Sequence, residues 1–373
     1  MDDVRVERLA ALLVQHSIQA GPGDRVLIEA FDVEARAVAA MVRAVARAGA
    51  VPVVETRYNE VLRDLYLHAT EEQMRLIGEL EADRMRQVQC YIGLRGSHNS
   101  AEFSDVPQER MALYQRHIWR PVHLERRLDH TRWVVLRWPS GTFAQAAGMS
   151  TVACEEFYSR CCCFDYGRME QAVAPLRVRM ERACKVRVVG PGTDLHFRKD
   201  KIGVVPCVGH RNIPDGECFT APIRDSVNGT IRFNAPTLYQ GRSFDEIALT
   251  LQDGRIVGAT ASDPVALERI LDADEGSRYL GEFSFGFHPH VLRPMRDTLF
   301  DEKIAGSIHL AIGNAYGGAD NGNRSEIHWD LVQIHRPEFG GGEVYFDGEL
   351  IRKDGLFVPD DLLDLNPDRL GAE

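Results

Sequence analysis

Two histidines and a set of dispersed carboxylates in the second half of the chain carry its strongest chemical signal. His309 lies in an apolar, strand-like run, Ile308-His309-Leu310-Ala311-Ile312. His328 and Asp330 lie in a second run, Ile327-His328-Trp329-Asp330-Leu331. Residues two apart on a strand share a face, so His328 and Asp330 project together while Ile327, Trp329 and Leu331 face the other way. Imidazole nitrogen and carboxylate oxygen from one rigid strand make half of a site for divalent zinc, cobalt, manganese or iron. A solvated strand face accounts for the same tripeptide. Three more segments hold acids in apolar or glycine-bounded settings. Glu217 follows Pro214-Asp215-Gly216 at a turn into a strand, Glu282 sits between Gly281 and Phe283, and Asp301-Glu302 precedes the His309 run. Burying an unpaired carboxylate is expensive, so each of these acids needs a cation, a hydrogen-bond net or local exposure. Glu326 shares a face with His328 and Asp330 and reads as a solvated rim acid.

Strands and helices must bring these residues together, and the 373 residues supply two domains' worth of them at about 150 residues per domain. The first half alternates. An apolar-periodic helix over 5–19 leads through Gly21-Pro22-Gly23-Asp24 to a buried strand over 25–29. Asp32 is placed to cap the next helix, whose Val38, Met41, Val42 and Val45 recur at helical spacing before Gly49 and a strand over 51–54. Strand, helix and strand in that order form a right-handed βαβ unit. Further strands are predicted over 90–94 and 133–138. A long helix over 166–183 is followed by a change of texture from Lys185 onward. Short strands over 186–189, 195–198, 230–233, 247–251 and 255–257 are broken by Gly, Pro and the hairpin signals Asn228-Gly229 and Asp253-Gly254, with one helix over 264–273. The fold class expected is α/β: a doubly wound N-terminal domain over 1–184, then a β-rich α+β domain over 185–373 that carries the metal site.

Composition narrows the function. Hydrophobic residues make up 44% and charged ones 27%, as in a globular protein with a sizeable core. The formal net charge of −11 argues against nucleic acid and against anionic membrane surfaces, both of which attract basic faces. No apolar run is long enough for a membrane helix and no secretory signal opens the chain, so a cytoplasmic location is expected. The eight cysteines include three in a row and no C-x-x-C pair, and read as buried free thiols. Neither a G-x-G-x-x-G nor a G-x-x-x-x-G-K-[ST] motif follows the strands. No G-x-S-x-G elbow occurs, and Cys161–Cys163 have no histidine nearby in sequence.

Five segments taken together resemble one family: Asn212–Pro222 (N-x-P-D-G-E-x-F-T-A-P), Asp225–Gly229 (D-S-V-N-G), Leu280–Phe283 (L-G-E-F), Ile308–Tyr316 (I-H-L-A-I-G-N-A-Y) and Asn323–Asp330 (N-R-S-E-I-H-W-D). They look like the aminopeptidase T/aminopeptidase S/PepS family of metallopeptidases, in the family's order and over essentially the whole chain. The resemblance implies a two-metal exopeptidase whose ligands are Glu217, Glu282, His309, His328 and Asp330. Tyr316 falls at the family's active-site tyrosine, and Glu302 matches the acid of its F-D-E segment. It also implies peptide substrates and a homodimer. The chain departs from the family in a slightly longer interval from Glu302 to His309 and a shorter loop from Tyr316 to His328.

The chemistry is coherent. Peptide hydrolysis at neutral pH needs an activated water and a charge to hold the carbonyl oxygen, and two divalent ions (Zn, Co, Mn or Mg) supply both. Two dications are balanced by Glu217, Glu282, Asp330 and a bridging hydroxide. Glu282 is assigned the bridging position, and Tyr316 is a further ligand or a hydrogen-bond donor to the tetrahedral intermediate. Two other functions use the same residues. A 2,5-dihydroxypyridine dioxygenase would hold one Fe(II) on His309, His328 and Asp330, but has no need of Glu217 and Glu282. A non-catalytic binding protein would carry the site as an inert remnant.

Overall fold

The computed structural model describes residues 3–372. Contacts divide the chain into two compact units, Met1–Phe164 with Gly209–Ile213, and Asp165–Val208 with Pro214–Glu373. The helix Tyr166–Arg182, just ahead of the boundary expected near 185, belongs to the second unit.

In the first unit β1 (Arg25–Phe31), β2 (Val51–Arg57), β3 (Cys90–Arg95) and β4 (Arg132–Arg137) form a parallel sheet in the order β2-β1-β3-β4, extended by the short strand Asn212–Ile213 beside β4. The buried run Val26-Leu27-Ile28 suits a strand covered on both faces. The helix Ala35–Arg47 buries Val38, Met41 and Val45 at the spacing that predicted it. Asp32 does not cap it. The helix begins three residues further on, and Asp32 instead accepts hydrogen bonds from the backbone N–H (3.1 Å) and Nδ2 (2.7 Å) of Asn59. The helix expected over 5–19 is α-helical only over Asp3–Leu12 and continues as a π-helix, Leu13–Ser17. Among the described residues no helix is long and apolar enough to cross a membrane.

The second unit is built on two large antiparallel sheets, with a two-stranded hairpin, Thr237–Tyr239 and Arg242–Phe244, beside them in the chain. One has eight strands, in the order Arg255–Thr260, Ala248–Gln252, Asn228–Arg232, Thr193–Arg198, Lys185–Gly190, Glu343–Phe346, Glu349–Lys353 and Leu356–Phe357. Asp253-Gly254 makes a hairpin turn with both residues at positive φ. Asn228-Gly229 does not turn. Gly229 pairs with Leu195 on one side and Leu251 on the other, and a Cβ there would stand 2.0 Å from the Asp194 carbonyl oxygen. The glycine serves close strand approach rather than a hairpin.

The other sheet has five strands, β5 (Val205–Cys207), β6 (Glu217–Thr220), β7 (Leu280–Gly286), β8 (Ser307–Gly313) and β9 (His328–Ile334), in the order β9-β8-β7-β6-β5. Its apolar face meets the eight-stranded sheet. Phe283 lies 5.2 Å from Phe197 and Phe285 lies 5.8 Å from Phe346, ring centre to ring centre and edge to face.

Candidate metal centre

Register alone gathers the acids and imidazoles of the five-stranded sheet. Glu217 pairs with Gly286, Ser284 with His309, Glu282 with Ala311, Ala311 with Asp330 and Gly313 with His328. Paired residues share a face. Glu217, Glu282, His309, His328 and Asp330 therefore stand on one side, while Phe283, Phe285, Leu310 and Leu331 fill the core on the other. A bulge between Leu280 and Glu282 sets the register of β7. Gly281 permits it, because a Cβ there would meet the Asn314 carbonyl oxygen at 2.4 Å. On that face the small residues Ser284 and Ala311 lie between the acids, and Phe219 and Val332 flank them.

The polar groups form a continuous chain. His309 is fully buried and sets Nε2 between Glu282 Oε1 (3.0 Å) and Glu217 Oε2 (3.1 Å). Glu282 turns Oε2 toward His328 Nε2 at 3.9 Å, and His328 Nε2 lies 3.3 Å from Asp330 Oδ1. His328 Nδ1 is 2.8 Å from the Asn314 carbonyl oxygen. That oxygen only accepts, so Nδ1 carries a hydrogen and Nε2 is the ring nitrogen that faces the carboxylates. Glu302, at the C-terminal end of the short helix Thr298–Asp301, joins Glu217 and His309 in one group of donors lying within 4.8 Å of one another; Glu282, His309 and Asp330 form a second such group. Tyr316 is 46% exposed and packs its ring 4.3 Å from that of His328, at the rim. Glu326 is exposed.

Sequence reasoning missed four neighbours. Ser284 Oγ donates to Glu217 Oε2 (3.3 Å), and Cys207 and Asp215 offer donor atoms within 4.8 Å of one another and of Glu217. Lys303 places a fully buried ammonium 2.9 Å from Glu217 Oε1 and bonds to Glu302 as well. Ser284 was readable from the period of two after Glu282. The burial of Lys303, beside a charged Glu302, left no local signal.

The electrostatics ask for more positive charge. Glu217, Glu282, Glu302 and Asp330 bring four carboxylates against the single ammonium of Lys303. Burial pushes the Glu302 carboxyl up to about 8 and raises that of Glu282 as well. Burial opposes ionisation of Glu217 too, but the Lys303 ammonium and His309 hold it well below the usual range. Burial works against protonated imidazoles, yet Asp330 and Glu282 raise His328 to about 10, and Glu217 and Glu282 raise His309. Protons are thus retained where two carboxylates face a nitrogen. His309 Nδ1 is buried with no hydrogen-bond partner among the described residues, so no acceptor ties its ring to a fixed protonation state. Oxygen and imidazole donors around a carboxylate excess fit divalent cations.

Comparisons agree with this chemistry. The family model described as thermophilic metalloprotease (M29) matches residues 2–355. PepS of Streptococcus thermophilus is 26% identical, covering 95% of this chain and 96% of its own. Aminopeptidase 2 of Geobacillus stearothermophilus is 35% identical over 167 residues, which span 40% of this chain but only 38% of that relative's length. Among solved structures, AmpT of Thermus thermophilus matches with a TM-score of 0.80 at 23% identity, covering 95% of this chain and 99% of the other. A 2,5-dihydroxypyridine dioxygenase of Pseudomonas putida shares the fold more loosely, with a TM-score of 0.61 at 14% identity over 97% of this chain and 99% of the other.

Proposed function

The chain belongs to the thermophilic metalloprotease (M29) family, and from that premise we propose that it is a metal-dependent aminopeptidase that removes N-terminal residues from peptides with the help of two divalent ions. The observation that carries this reading is the convergence of Glu217, Glu282, His309, His328 and Asp330 on one face of the five-stranded sheet, with Glu302 joining them from the end of the helix Thr298–Asp301 and one ammonium, Lys303, among them. One ion would be held by Glu217, Glu302 and His309, the other by Glu282, His328 and Asp330. Bound there, such ions polarise a scissile carbonyl and activate water.

The protein's own part is orientation and exclusion. Asn314 fixes the His328 ring through Nδ1. Tyr316, against His328, offers its hydroxyl to the carbonyl oxygen as that oxygen gains charge. The dioxygenase reading shares the fold but leaves Glu217, Glu282 and Glu302 without a task at a one-iron centre. A cytoplasmic location and a homodimer belong to the same proposal. Eight free cysteines support the location, and sedimentation velocity tests the dimer.

The deciding experiment uses aminoacyl-p-nitroanilides. EDTA should abolish hydrolysis, Co²⁺ or Zn²⁺ should restore it, and N-acetylated substrates should be refused. Hydrolysis that survives chelation would overturn the proposal. One tightly held iron per chain with no peptidase activity would favour ring cleavage instead.

A further inference from the structure

Three groups of donors run in series along the site: Cys207, Asp215 and Glu217; then Glu217, Glu302 and His309; then Glu282, His309 and Asp330. The first group already has its cation. Lys303 Nζ lies 2.9 Å from Glu217 Oε1 and 3.8 Å from Asp215 Oδ1 and donates to Glu302 Oε1, and none of its side chain reaches solvent. Its backbone is fixed on both sides, with the N–H donating to Phe300 O (3.0 Å) and the carbonyl accepting from His288 N–H (2.9 Å). Each glutamate gives the ammonium its Oε1. In Glu217 this turns Oε2 to His309 Nε2 and Ser284 Oγ.

We propose that Lys303 is an internal cation that positions Glu217 and Glu302 for the metal position they share with His309, and so sets the affinity of that position separately from its neighbour. The inference rests on the two-ion reading above. Two buried carboxylates side by side repel, and the repulsion turns them away from a position they would share. An ammonium held on Oε1 of each offsets that repulsion without engaging the second oxygen of either. It also balances Glu302, the one acid of this set that the charge count of two dications, Glu217, Glu282, Asp330 and a hydroxide leaves over. Lys303 touches neither a reacting atom nor a substrate in this scheme and acts through the two glutamates. A rival view of the same contacts makes the ammonium a competitor for the metal position. The two differ in sign.

The test is a titration of the chelator-stripped full chain with Co²⁺ alone, followed by native mass spectrometry for ions per chain and by visible cobalt absorption for affinity. Wild type should bind two ions. Lys303→Met should bind one ion as wild type does and the other 10- to 100-fold more weakly, roughly the range typical of outer groups that orient metal ligands. Lys303→Gln, which keeps a donor without the charge, should fall on the same side and replaces the methionine variant if that fails to fold. Equal affinities in variant and wild type, or either ion bound more tightly by the variant, would overturn the role. A wild-type chain that binds fewer than two ions would instead overturn the two-ion reading itself, a result visible before any variant is made.

Discussion

His309 is the residue on which the centre turns. Its Nε2 lies within reach of both Glu217 and Glu282, and among the described residues it belongs to both donor groups that include an imidazole. Glu282 is its counterpart among the acids, with one oxygen toward each histidine. Glu282→Gln preserves shape but removes a charge that the site needs, and His328→Ala removes a nitrogen whose direction Asn314 fixes. Each should lower kcat/KM for an aminoacyl-p-nitroanilide by on the order of 10³-fold, about 4 kcal/mol of transition-state stabilisation, with the fold intact by circular dichroism. Retained activity in either variant would remove that residue from the mechanism. These roles were partly legible in sequence, since a histidine in an apolar run and H-x-D at strand spacing are local patterns. Lys303 was not legible, because its meaning lies in Asp215 and Glu217, which are far away along the chain.

At the scale of elements, β7 does two jobs at once. Phe283 and Phe285 anchor it in the core, while Glu282 and Ser284 face the site, so packing on one side fixes geometry on the other. Phe283→Ala should destabilise the protein by about 3–5 kcal/mol in urea denaturation. A loss below about 1 kcal/mol would show that the strand is not held this way. Gly281→Ala places a methyl where the Asn314 carbonyl oxygen stands, and should lower stability by roughly 1–3 kcal/mol while also weakening cobalt binding, because Asn314 orients His328. Unchanged binding together with lost stability would separate the bulge from the site. Glycine also explains the misread hairpin. Asn-Gly is a turn signal by local chemistry, but at Gly229 the strand neighbour Asp194 sets the requirement, and only the assembled sheet supplies that neighbour.

At the scale of the whole molecule, stability in acid should trace to a buried network in the first unit. Glu29 accepts a hydrogen bond from Tyr91 and lies 3.1 Å from Arg95 and 3.0 Å from Arg57. Burial opposes its charge, but Arg95, His123 and Arg57 bring its pKa down from 4.5 to about 2. A carboxyl depressed in the folded state stabilises it above the unfolded pKa, and that stability is lost as pH falls through the folded value. Its share is at most about 3 kcal/mol. Burial also lowers His123 from 6.5 to about 4, so the unfolded chain gains a proton there first, and the decline in stability begins below about pH 6.5. Glu29→Gln should be less stable than wild type at pH 7, with the gap closing between about pH 4.5 and 2; a gap constant with pH would exclude this assignment. The sequence by itself determined the order of strands and helices, the α/β-then-β division, the family resemblance and the donor types, because apolar periodicity, turn chemistry and ligand identity are written locally. Only the tertiary structure decided which strands are neighbours and in what register, and therefore which carboxylates share one buried space. Register depends on long-range pairing, and the charge of a buried group depends on everything that surrounds it.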